Sequence, residues 1–292
     1  MLVRIPCAIL VLTLTTPLTA QDMPLSQVLI DGEDWKLVSE GHQFTEGPAA
    51  DRHGNVFFVD VPASKIFRID AETGHVALFA ESTGKASGLA FGADGRLYAC
   101  QYEGRKVVWY DDQAKVHVIA DDIGTNDLVV DRDGGVYVTD MTANRVWYVS
   151  PEGKKSVAAE GFKPNGLTFW PDGKTLVVAD WEQPHLWTYR VDGPGQLKFG
   201  EKYYGPLQIP SGEKLPGSDG MTVDDAGRLF VCTHAGLQMF DPTGRQSGTI
   251  AKPQRKFLSN VAFGGKEFDA LYVTCSDKVY QRKTKTTGKP AR

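Results

Sequence analysis

The chain has 292 residues, a hydrophobic fraction of 41%, 32 basic against 36 acidic side chains and a net charge of −4. That balance suits a soluble globular protein and excludes a basic nucleic-acid-binding face.

The N-terminus stands apart from the rest of the chain. Met1 to Arg4 carries one positive charge, Ile5 to Leu18 is largely apolar, and Leu18-Thr19-Ala20 resembles a small-residue cleavage site before Gln21. Residues 1–20 therefore read as a secretory signal peptide, with the mature chain secreted or periplasmic. The apolar run falls short of the ~20 residues a bilayer needs, so stable membrane insertion is not expected. Cys7 lies inside that run, and removal of the signal leaves Cys100, Cys232 and Cys275. Three thiols allow at most one internal bridge, and each is late in a predicted strand, where cysteine serves as a small buried apolar residue.

After an extended lead-in, Gln27 to Ile30 and Trp35 to Val38 read as two strands. From there one frame recurs: a polar residue opens a short strand, an Asp/Gly turn comes next, and a second strand returns. Its first residues are Glu46, Ser87, Asn126, Asn165, Asp219 and Asn260, at spacings of 41, 39, 39, 54 and 41. A period near 40 with several short strands per repeat is the signature of propeller blades. The fold class expected is all-β, a six-bladed β-propeller over residues 21–284, with an N-terminal strand completing the last blade and removing an exposed sheet edge.

Within each blade a third strand and an outer strand complete the set, as in Lys65 to Ile69 with Val76 to Phe79, or Lys106 to Tyr110 with Val116 to Ile119. The 54-residue spacing exceeds its neighbours, and the excess is placed at Tyr203 to Pro216, a Gly- and Pro-rich stretch. A long loop in a compact domain is commonly functional, and this one reads as a partial lid over one mouth of the channel. Residues 285–292 are basic, lack apolar periodicity and read as a disordered tail.

Innermost propeller strands line the central channel, so the six frame-opening residues converge on one axis. All are polar. Asn, Asp and Ser are favoured in turns for local reasons, but a ring of acids and amides in phase with the blade period suits a cation site. Carboxylates and amide carbonyls form an all-oxygen set appropriate to a hard ion, Ca2+ first, with Zn2+, Mg2+ or Mn2+ as alternatives. The sequence has neither a His-rich zinc cluster nor a cysteine pair at zinc spacing.

Phe44-Thr45-Glu46-Gly47-Pro48, Asn126-Asp127, Lys163-Pro164-Asn165-Gly166-Leu167 and Gly217-Ser218-Asp219-Gly220-Met221, in that order, resemble the gluconolactonase and regucalcin (senescence marker protein) family of six-bladed propellers. The resemblance extends through Asn260 to Gly265, nearly the whole mature chain. It implies a divalent ion held by Glu46, Asn165 and Asp219, Asn126 near substrate or metal, and hydrolysis of sugar lactones. Some members have an Arg two residues before that Asn to contact the sugar acid; here the position is Gly124, so a sugar lactone would not be held by that Arg.

The implied chemistry is polarisation of a lactone carbonyl by the cation, with Asp219 taking a proton from the attacking water. Alternatives are a phosphotriester hydrolase on the same site and a non-enzymatic ligand- or metal-binding propeller. Ser87 is not in a GxSxG elbow, and Asp131-Arg132-Asp133-Gly134 reads as a hairpin turn rather than a calcium loop. His234 is read as a core or turn histidine; Trp181 is either a wall of the substrate cleft or interblade packing.

Overall fold

The computed structural model describes residues 23–290; the proposed signal peptide, 1–20, lies outside them. Six four-stranded antiparallel sheets succeed one another, the first five each made of consecutive strands. Their inner strands are Thr45–Ala50, Ala86–Phe91, Leu128–Val130, Pro164–Phe169, Met221–Val223 and, in blade six, Leu258–Gly264. Blade six takes its outer strand, Lys36–Glu40, from the other end of the chain, with Lys36 opposite Gln281 and Glu40 opposite Lys278.

The second strand of each blade explains the architecture. Val56–Asp60, Leu97–Gln101, Val136–Asp140, Leu229–Thr233 and Ala270–Cys275 are buried at every position, because both faces of these sheets are covered by neighbouring blades. Strands covered on both sides are apolar runs rather than alternating ones. The core accordingly divides into six clusters, one per interblade seam. Phe57 and Val59 meet Leu97 and Ala99 between blades one and two; Val56 and Phe58 meet Ala270 and Tyr272 between one and six. Cys100, Cys232 and Cys275 are buried and unpaired.

The inner strands carry a repeated irregularity where they enter the channel. In blade one Glu46 faces Val59 but Ala49 faces Phe57, so three residues on one side span two on the other. The same one-residue bulge falls at Ala86/Leu89 and at Pro164/Leu167. Bulges re-aim side chains and are common beside functional sites. The glycine after the polar residue makes room for the next blade. A Cβ on Gly88 would stand 2.5 Å from Asp127 Oδ1, and one on Gly166 would meet the Asp219 carbonyl.

Three expectations need correction. Gln27 to Ile30 forms no strand: Leu25–Gln27 is a 3-10 turn, and Leu29 makes a single bridge to Thr284. The excess length of blade four lies only partly in a loop, because its third and outer strands, Leu186–Gly193 and Gln196–Tyr204, run to 8 and 9 residues. The C-terminal segment is packed through residue 290 rather than disordered from 285. Lys285 N donates to Val28 O, Gly288 N to Phe268 O, and the buried Thr286 hydroxyl links Asp224 Oδ2 at 3.0 Å with Arg228 Nη2 at 2.9 Å. Its lysines suggested a solvated tail, yet Lys289 pairs with Asp225 at 3.2 Å.

Candidate metal centre

Because the inner strands run in one direction, their first residues share one mouth of the channel. There Glu46, Ser87, Asn126, Asp127, Asp219 and Asn260 surround a cavity of about 10 Å3, room for one water-sized particle. Carboxylates come from blades one, three and five; blades two and six supply a hydroxyl and an amide. None of the residues lining the cavity is basic.

Hydrogen bonds tie the ring together. Ser87 Oγ donates to Asn126 O at 2.5 Å, Asn126 Nδ2 to Asn165 Oδ1 at 2.5 Å, and Asn165 Nδ2 to Ser218 O at 3.3 Å. Asn260 Nδ2 donates to Asp127 Oδ2 at 3.3 Å, while Gly47 N donates to Glu46 Oε2 at 3.1 Å. Thus Glu46, Asn126 and Asp219 are brought to the cavity. Asn165, buried and bonded to Asn126, stands one step behind its wall.

Asp127 is the group that sequence reasoning left without a role. It is buried, lines the cavity and brings a third carboxylate. The approach of Asp127 Oδ1 to Gly88, where a Cβ would stand 2.5 Å away, is visible only in the fold.

The electrostatics stem from burial that the hydrogen bonds to these carboxylates only partly offset. Desolvation, then repulsion from Asp127, pushes Glu46 up to about 8. Desolvation raises Asp127 to about 7. Asp219 rises well above the ordinary carboxylate range through desolvation, then Glu46, then Asp127. Among the described residues no three His, Cys, Asp or Glu side chains form a ready-made ligand cluster. The donor set here is instead mixed, carboxylates with amides and a hydroxyl, and in charge and donor type it fits a hard divalent cation.

The opposite mouth is different. A cavity of about 270 Å3 there is lined by Phe91, Val130, Phe169, Trp170 and Lys289 among others. It contains none of the six frame-opening residues.

Residues 44–277 match the family described as SMP-30/Gluconolactonase/LRE-like region. The chain belongs to this family. Among SMP-30/gluconolactonase relatives, the gluconolactonase of Zymomonas mobilis is 27% identical over 87% of this chain and 82% of its own length. Pentonolactonase XacC of Haloferax volcanii is 28% identical over 82% and 84%. Regucalcin from Agrobacterium tumefaciens, described as a calcium-binding protein, superposes with a TM-score of 0.74 at 18% identity, covering 89% of this chain and 97% of that one. At that identity the likeness concerns the propeller alone.

Proposed function

We propose that this protein is a metal-dependent hydrolase that opens a lactone ring. The observation that carries the reading is the set of three carboxylates at one cavity, Asp127 and Asp219 buried and Glu46 partly so, with no basic residue in the lining, in a chain whose relatives are named gluconolactonase and pentonolactonase. Glu46, Asn165 and Asp219 would hold the cation, Asn165 once its Oδ1 turns from Asn126 Nδ2 to the cavity; Asn126 would be a further ligand or a substrate contact, and Asp127 adds charge. Calcium is favoured by the oxygen-rich donor set.

When bound, the ion supplies Lewis-acid polarisation of the ester carbonyl. Asp219, at the cavity wall, would take a proton from the water that adds to the carbonyl carbon. The bond from that carbon to the ring oxygen breaks, the proton passes to the leaving alkoxide, and a hydroxy acid results. We also assign residues 1–20 as a cleaved secretory signal, which N-terminal sequencing starting at Gln21 would verify.

The test is proton release from a panel of lactones by the mature chain after chelation and add-back of single cations. One cation should restore turnover, and Asp219→Asn should lower it by about 100-fold or more. Cation binding with turnover of aryl phosphotriesters and no lactone would replace this reading with phosphoester hydrolysis. Cation binding with no turnover of either would leave a binding propeller.

A further inference from the structure

The residue after each second strand lies on the same mouth as the carboxylates, because second strands end where inner strands begin. These residues are Val61, Tyr102, Met141, Trp181, His234 and Ser276. In four blades the equivalence is visible in one bond, from this residue's N–H to the carbonyl just ahead of or near the inner strand's start. Val61 donates to Phe44 O at 2.9 Å, Tyr102 to Lys85 O at 3.2 Å, Trp181 to Lys163 O at 2.9 Å and His234 to Pro216 O at 2.8 Å.

None of them carries a full charge when His234 is neutral, and on one side the set is aromatic. Trp181 meets Phe257 at 5.9 Å and His234 at 5.8 Å between ring centroids; His234 meets Phe257 at 5.7 Å, and Phe44 stacks on Phe257 at 6.3 Å. This cluster joins blades one, four, five and six, and all four rings are only half-buried. Tyr102, across the mouth in blade two, is 59% exposed. The 205–217 segment reaches the same cluster: Glu213 Oε2 lies 3.4 Å from His234 Nδ1, and the His234 ring occupies the place of a Gly217 side chain.

A polyhydroxylated ring can lay a C–H face on an indole, but its hydroxyls then need donors and acceptors at the ring edge. Lys85 and Lys163, on this face, are already engaged with Glu103 at 3.3 Å and Glu182 at 3.1 Å. Position 124 offers nothing, since the Asp140 carboxylate stands where a side chain there would begin. The other polar groups at this rim are the His234–Glu213 pair, the Tyr102 hydroxyl and the Ser276 hydroxyl, which already donates to Phe257 O at 3.2 Å. A ring with several hydroxyls would therefore lose more water contacts than it regains.

We infer that the preferred substrate is a lactone carrying an apolar substituent on its ring, with the substituent held by the Trp181–His234–Phe257 rim and the ester at the carboxylate cavity. The inference rests on the lactonase reading. Trp181 and Phe257 act as specificity-determining residues.

The test compares three six-membered lactones: unsubstituted δ-valerolactone, δ-decalactone with its pentyl chain, and glucono-δ-lactone. Each hydrophobic contact of this kind changes kcat/KM by about 10-fold or more, so δ-decalactone should exceed δ-valerolactone by about that factor and glucono-δ-lactone by more. Trp181→Ala should cut the decalactone-to-valerolactone ratio by about 10-fold, and Trp181→Phe should keep it within about 3-fold. Phe257→Ala, in a separate blade, supplies a second variant should Trp181→Ala fold poorly. Preference for glucono-δ-lactone, or a ratio unmoved by these variants in folded protein, overturns the inference and leaves the lactonase standing. No turnover of any of the three removes the lactonase reading itself.

Discussion

Three carboxylates crowded around one small cavity give the cation-free protein an unusual dependence on acidity. Glu46 rises from an ordinary value of 4.5 to about 8 on folding, so between those values the folded form keeps a proton that the unfolded chain has released. Stability then falls as pH rises through that window, the reverse of a salt-bridged acid. Asp127 and Asp219 push the same way. A bound divalent ion should cancel the loss, so the increase in melting temperature on adding the preferred cation should be larger at pH 8 than at pH 5. A cation effect independent of pH would mean that these carboxylates are not its ligands. Glu46→Gln should raise the melting temperature of the chelated protein at pH 8 while weakening cation binding.

At this scale the sequence was most informative where one residue type had one use. Glu46, Asp219 and Asn126 open their repeats, and the structure brings them to one cavity. Asp127 was overlooked because it comes directly after Asn126, and a linear reading expects neighbouring side chains to diverge. Asn165 occupies the same phase yet does not line the cavity, and its Oδ1 accepts from Asn126 Nδ2.

Among the elements, the bulged start of the inner strand is the device that turns a repeat into a site. Gly88→Ala puts a methyl group 2.5 Å from Asp127 Oδ1, so the Asp127 carboxylate or the blade-two strand must move. Overpacking of this kind typically costs about 1–3 kcal/mol, and denaturant unfolding should show it. Cation affinity should fall as well; a variant of native affinity would mean that Asp127 is free to shift and has no role in the ring. The strands themselves were legible because turns of Asp and Gly punctuate apolar runs. The length of the blade-four hairpin was not: Arg190 to Glu201 is polar and exposed enough to pass for loop, and cross-strand pairing rather than burial makes it sheet.

For the whole molecule, stability is distributed over six seams, so a single large-to-small change disturbs one seam only. Phe230→Ala, between blades five and six, should cost about 3–5 kcal/mol. The packed C-terminus adds a different contribution. Deleting 285–292 removes Thr286 from the buried Asp224–Arg228 pair, which the sequence could not announce because Asp224 and Thr286 are 62 residues apart. Losing one such buried partner costs about 1–3 kcal/mol, and a truncated chain should melt earlier at unchanged cation affinity.

The pairing of Lys36 with Gln281 has a consequence in time. A chain emerging from a ribosome or a translocation pore can finish five sheets in sequence, but the strand made first must wait for nearly the last residues before it finds a neighbour. Such distant pairings are slow to form. Until then Lys36–Glu40 and an open blade edge are both exposed to proteases, and a product cut short before Lys278 never hides either. Synthesis errors near the end of the message would thus be marked for degradation although every residue of the cavity had already been made.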